Sequence, residues 1–182
     1  MKQFIVLLLL SSFFLTTTAQ EKTKKKLTRE EKKELKLKQE EKAEKLVSAM
    51  IEARQFVLLA DNISTQEGLT FPVSSNINFV LVDSTKATFQ FGSVSLIGIN
   101  GVGGVTIDGN ITYFDVKKYE KSGAYFIRMT ISTSTGFYDI NFNILATGIA
   151  DAEVVAMSNF RFNYSGRIVP INQSRYYKGT SF

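Results

Sequence analysis

Along most of the chain, apolar and polar residues alternate one for one. Ile77, Phe79 and Leu81 alternate with Asn78, Phe89 and Phe91 with Thr88 and Gln90, and Ile127, Met129 and Ile131 with Arg128, Thr130 and Ser132. Tyr138, Ile140, Phe142 and Ile144 are interleaved with Asp139, Asn141 and Asn143, and Phe160, Phe162 and Tyr164 with Arg161, Asn163 and Ser165. Period two with one polar side is the pattern of antiparallel sheet wetted on one face. Val, Ile, Thr, Phe and Tyr dominate the runs. Asp83-Ser84-Thr85, Asp108-Gly109-Asn110, Lys121-Ser122-Gly123 and Ser134-Thr135-Gly136 separate them as turns. The spacing predicts hairpins in series: about seven to nine strands in one strongly bent antiparallel sheet, either a sandwich or a partly open barrel.

Before Phe56 the period changes. Glu21 to Glu67 contains neither Gly nor Pro, and it is dense in Lys, Glu, Leu and Ala, all strong helix formers. Thr28-Arg29-Glu30-Glu31 has the form of a capping box, so the helix should start there. Up to Lys42 it is polar on nearly every side, with Glu34 and Lys38, and Glu41 and Lys45, placed four apart in the favourable order. Ala43, Leu46, Met50, Ala53 and Val57 then recur at three-four spacing, widened by Val47 and Ile51. The expectation is a mainly β fold with one N-terminal helix, whose second half docks on the sheet and whose first half, within residues 20–42, is a charged spacer.

Residues 1–19 read as an export signal: Lys2, the apolar run Phe4 to Leu15, then Thr17-Thr18-Ala19 for the peptidase. The run is about half the roughly 20 residues of a membrane-spanning helix, so no span is expected once it is removed. No Cys follows it to take a lipid. The mature protein should begin near Gln20 and be a free periplasmic or extracellular protein, with one β-rich domain over 43–171 and a loose tail over 172–182. The aromatic end at Phe182 resembles that of outer-membrane barrels, but most apolar runs are shorter than the roughly ten residues such strands need.

Charge narrows the partners. The formal net charge is +5 and the isoelectric point is near 9.3. Residues 21–54 hold 12 Lys and Arg against 8 Glu, whereas residues 55–182 hold 9 of each sign. A neutral globular part lacks the basic face that nucleic acid requires, so nucleic acid is excluded as a partner.

The chain has no His and no Cys, which rules out disulfides, Ser-His-Asp and Cys-His nucleophiles and the usual zinc sites. Carboxylates remain: Asp108, Asp115, Asp139, and Asp151 with Glu153 are the candidates for a two-carboxylate hydrolase, yet each falls beside a turn or on the polar side of a strand. Asp139, Asn141 and Asn143 on one strand face are too splayed to wrap a calcium ion. The cluster Gly98-Ile99-Asn100-Gly101-Val102-Gly103-Gly104 lacks the Lys-Ser/Thr ending of a P-loop and the spacing of a dinucleotide fingerprint. It reads as a wide hairpin loop, and Gly98, Gly101, Gly103 and Gly104 are the candidates for a mobile cavity rim. No cofactor and no enzymatic activity are expected.

Four landmarks in order suggest a family. Arg54-Gln55-Phe56-Val57 leaving the helix, Phe89-Gln90-Phe91-Gly92, Gly148-Ile149-Ala150, and Ser158-Asn159-Phe160-Arg161-Phe162-Asn163-Tyr164-Ser165-Gly166 resemble the family catalogued as domain of unknown function 4251, found in exported proteins of Bacteroides-like bacteria. The resemblance covers about residues 43–170. It implies export, a β-rich fold and no established activity. The first functional reading is therefore a non-enzymatic envelope protein that binds a partner or plays a structural part. The second is a carrier of a lipid or other apolar ligand in a cavity between sheet and helix, lined by Phe79, Phe89, Phe91, Phe142 and Phe160.

Overall fold

The computed structural model describes residues 28–93, 100–157 and 161–181. Residues 1–19, read above as an export signal, residues 20–27 of the expected spacer, Gly98, Phe160 and Phe182 lie outside them. The chain divides into two compact units, one ending at Glu34 and one running from Leu35 to the end.

In the first unit the capping box forms as the sequence predicts. The Thr28 N–H donates to Glu31 Oε2 at 2.8 Å and the Glu31 N–H donates to Thr28 Oγ1 at 3.2 Å, starting helix α1 (Arg29–Ala53). In the second unit Lys45 pairs with Glu41 at 2.7 Å on the exposed side. Val47, Met50 and Ile51 are buried. At Arg54, φ of 53° reverses the chain directly into the sheet, and its guanidinium lies 4.4 Å from the centre of the Phe114 ring.

Nine antiparallel strands follow: β1 Gln55–Thr65, β2 Thr70–Pro72, β3 Phe79–Asp83, β4 Lys86–Phe91, β5 Val105–Tyr119, β6 Ala124–Thr133, β7 Gly136–Ile144, β8 Ile149–Ala156 and β9 Arg161–Val169. The order β1-β3-β4-β5-β6-β7-β8-β9 closes on itself because β9 pairs with β1 from Val57–Val169 to Thr65–Phe162. The bent sheet is thus a closed eight-stranded barrel, and closure removes the edges an open sheet would expose. A bulge between Ala60 and Asn62 bends β1. Beyond it β1 leaves β3 and pairs with the added short strand β2 through Asn62–Pro72, Ile63–Phe71 and Ser64–Thr70.

The inner face is filled. Phe56, Leu58, Ile127, Met129, Ile131, Ile140, Phe142 and Tyr164 are almost wholly shielded and belong to one cluster with Val47, Met50 and Ile51 of the helix. Aromatic pairs reach across the barrel: Phe56 meets Phe142 edge-on at 5.5 Å and Phe89 meets Tyr138 at 5.0 Å. Such packing leaves an eight-stranded interior full of side chains. The Tyr164 hydroxyl is enclosed there without a hydrogen-bond partner among the described residues, and burial pushes its phenol above the usual range. Replacing Tyr164 by Phe is therefore expected to stabilise the protein by about 1 kcal/mol, read as a higher urea midpoint; a lower midpoint would show that the hydroxyl contributes.

Three expectations are corrected. Asp108-Gly109-Asn110 is not a turn but the middle of β5; a Cβ on Gly109 would press on Thr133 Cγ2 and the Ser132 carbonyl of β6, so Gly allows the two strands to come close. Phe79 lies outside the barrel, because the inward residues of β3 are Val80 and Val82. Residues 172–182, read as loose, include a segment from Ser174 to Ser181 that lies along the outer face. Tyr176 covers Phe79 with ring centres 4.8 Å apart, and the Tyr177 N–H donates to the Asn76 carbonyl at 2.7 Å. The tail is held because the outer face of β4 is not wet. Gln90, fully buried, donates to the carbonyls of Ile77 and Tyr177 and accepts from the Gly179 N–H and the Thr106 hydroxyl.

Candidate functional site

The barrel has two chemically different ends. The helix lies at the end where β1 begins and β9 finishes, and there Arg54, Asp83, Lys86, Lys117, Lys118, Glu120 and Lys121 cluster at strand ends and turns. At the other end, the described parts of the connections, residues 66–69, 73–78, 92–93, 100–104, 134–135 and 157, contain one charged residue, Glu67. Exposed apolar side chains gather at the same strand ends: Leu69, Phe71, Val105, Phe137 and Met157. Exposed apolar residues also occur at the helix end, as Leu46, Tyr119, Leu145 and Ile149, but there they share the surface with the charged cluster, whereas these five adjoin connections that hold one charge.

That end contains a hollow of about 360 Å³. It opens where β1 parts from β3. Ile63, Thr65, Phe71 and Pro72 of β1 and β2 form one wall, Val73, Ser74 and Ile77 the next, and Phe91, Gly92, Ser93 and Phe162 close it. The rings of Phe91 and Phe162, from β4 and β9, stack across the barrel mouth at 5.6 Å with only 9° between their planes. The floor of the hollow is therefore aromatic, and among the described residues no charged side chain lines it. Its volume falls at the small end of the range for ligand pockets.

The five phenylalanines of the carrier reading are not brought together. Phe89, Phe91 and Phe142 face inward, but Phe89 and Phe142 are spent in filling the interior. Phe79 is outside under Tyr176, and Phe160 is beyond the described residues. The space between helix and sheet is occupied by Val47, Met50 and Ile51 packed in the core cluster. A broader, shallower groove of about 470 Å³ runs outside it, between Leu46, Met50 and Ala53 of the helix and Asp83 and Pro170. Of the glycines, Gly101 and Gly103 take φ of 75° and 77°, and Gly104 lies against the Phe91 carbonyl, where no Cβ would fit. Asn100, almost fully buried, pins this stretch by accepting from the Val102 and Gly104 N–H groups while donating to Thr106 Oγ1.

The residues that sequence reasoning passed over are Ile63, Thr65, Phe71 and Phe162. Phe162 was visible in the alternation of β9, but nothing local in the chain announces that β1 and β4 will bring Thr65 and Phe91 to it.

Of the candidate carboxylates, Asp115 is exposed on β5, and Asp108, Asp139, Asp151 and Glu153 have partners on the outer face. Thr88 Oγ1 donates to Asp108, which Lys178 also bridges at 2.6 Å; Thr130 donates to Asp139 at 2.7 Å; Ser165 donates to Asp151 at 2.6 Å; and Arg161 lies 3.4 Å from Glu153. None of these lines the hollow. Asp139, Asn141 and Asn143 stand on the outer side of β7, and Arg128 is directly opposite Asn141 across β6 and β7. Among the described residues no group of three His, Cys, Asp or Glu could hold a metal ion, and no helix is long and apolar enough to cross a membrane.

Among the described residues, fold and site together define a closed antiparallel β-barrel with a packed interior, one α-helix and an apolar mouth at the end away from it. The profile of the family described as domain of unknown function (DUF4251) matches residues 38–168, and the chain belongs to that family. Among solved structures it is similar to the crystal structure of a DUF4251 family protein from Bacteroides eggerthii, with 30% identity and a TM-score of 0.60 over 72% of this chain and 90% of that one. No curated protein matches it.

Proposed function

We propose that this protein is an exported, non-catalytic binding module of the cell envelope whose working end is the apolar barrel mouth. One observation carries the reading: an apolar hollow floored by Phe91 and Phe162 and ringed by exposed apolar residues lies at the end of the barrel whose connections hold a single charge. Apolar surface left in water costs stability and persists where a partner or ligand covers it. Asp108, Asp139, Asp151 and Glu153, engaged with neighbours on the outer face, and Asp115, exposed on β5, support a non-catalytic role. The carrier idea survives in a reduced form, with the apolar group held at the mouth rather than between sheet and helix, and with room for a ring or a short chain rather than a whole lipid.

The test is an environment-sensitive apolar dye such as N-phenylnaphthylamine. Its fluorescence should rise on binding. Phe71→Asp, on the exposed strand β2, should weaken that binding about tenfold or more by facing the dye with an unpaired carboxylate. Leu46→Asp, in the groove beside the helix, should leave it unchanged. Dye binding that Leu46→Asp removes and Phe71→Asp spares would place the binding surface at the other end and refute the proposal.

A further inference from the structure

The mouth hollow carries a polar atom that the fold does not use. Thr65 closes β1, and its main chain is committed: its N–H donates to the Leu69 carbonyl at 2.9 Å and its carbonyl accepts from the Gly68 N–H at 3.0 Å. The neighbouring Ser64 hydroxyl, on the opposite side of the strand, is satisfied by Thr70 Oγ1 at 2.8 Å. Thr65 lines the hollow, and its hydroxyl oxygen is buried and has no hydrogen-bond partner among the described residues. A buried hydroxyl without a partner destabilises a fold, and each one calls for an explanation. The other such hydroxyl, on Tyr164, is sealed in the filled interior. The position of Thr65 differs in that the residue borders a hollow, so that a turn about its χ1 bond would present the hydroxyl to a bound molecule.

The rest of the wall fixes what that molecule can be. Phe91, Phe162, Phe71, Ile63 and Ile77 offer an apolar body contact, and no cation lines the hollow to neutralise an acid. Seating a carboxylate or phosphate there would bury an unpaired charge, whereas an uncharged hydroxyl or amide costs far less and gains a partner.

Resting on the reading of the mouth as the binding end, we infer that the hollow takes a small neutral amphiphile, an apolar ring or short chain with one uncharged hydrogen-bonding group that pairs with Thr65 Oγ1. The apolar body lies on the Phe91 and Phe162 rings, and the polar group points to the end of β1. Anionic amphiphiles of the same shape are rejected.

Three probes of one skeleton test this: naphthalene, naphthol and naphthoate, titrated at neutral pH into the full mature chain and followed by the amide NMR signals of Thr65, Val73 and Gly92. Naphthol should bind about five- to tenfold tighter than naphthalene, the worth of one hydrogen bond, and naphthoate at least about tenfold weaker than naphthol. Thr65→Val, which keeps the shape and removes the hydroxyl, should erase the naphthol preference while leaving naphthalene affinity within about twofold; Thr65→Ser should restore the preference. Naphthoate binding as tightly as naphthol, or a preference that survives Thr65→Val, would overturn the inference while leaving the mouth as the binding end. Failure of all three probes to shift the mouth amides would overturn both.

Discussion

Removing residues 174–182 is expected to lower the midpoint of thermal unfolding by about ten degrees or more. The segment has no regular structure, so a sequence reading alone gives it little weight, yet it covers the most polar buried patch of the barrel. Without it Gln90 loses the Tyr177 carbonyl and the Gly179 N–H, Asn100 loses the Thr180 N–H, and Phe79 loses the Tyr176 ring. Each buried group left without its partner costs about 1–3 kcal/mol, less where water can replace the tail. Calorimetry of the shortened chain measures the sum, and a midpoint within about two degrees of the full chain would mean that water replaces the tail at no loss.

The same contact should weaken in acid. Burial raises the Asp108 carboxyl, but hydrogen bonds from Lys178, Thr88 and Ser181 and the charge of Lys178 outweigh it, so its folded value lies below the ordinary carboxylate range. A group depressed on folding stabilises the folded state above its unfolded value and loses that contribution as the pH falls through the folded one. The gap in midpoint between full and shortened chains should therefore narrow as the solution is taken below the ordinary carboxylate range.

The second large effect is Phe142→Ala, expected to cost about 3–5 kcal/mol. Phe142 is fully buried, and its ring meets Phe56 edge-on from the opposite wall, so truncation opens a void spanning the barrel where backbone closure resists collapse. The urea midpoint should fall with an unchanged slope. A loss under about 1 kcal/mol would show that the interior is slack enough to refill, and would restore the barrel itself as a ligand cavity.

Much of this architecture could be read along the chain because the relevant signals are local. The Thr28 and Glu31 pair starts the helix, and the alternations in β6 and β7 assign Ile127, Met129, Ile131, Ile140, Phe142 and Ile144 to the inside, where they are. The errors fall where a strand is covered on both sides. In β3, Phe79, Val80, Leu81 and Val82 are all apolar, so period two could not choose a face, and the face was set by a tail almost a hundred residues away. Gln90 gave the correct face but not its burial, since polarity marks a wet residue and a hydrogen-bonded buried one alike. The turn assigned to Asp108-Gly109-Asn110 failed because glycine serves close strand approach as readily as reversal. The candidate site was the least legible, as Thr65, Phe91 and Phe162 meet only through the closure of β1 on β9 and the crossing of rings over the mouth.

That closure also dictates when the protein can exist. The first strand waits for the last: Val57 is bonded beside Val169, more than a hundred positions downstream, so a chain threading out amino end first presents a raw, unzipped margin until nearly all of it has emerged. Assembly is therefore slow and late, and any product cut short before Arg161 is left with two sticky borders instead of none.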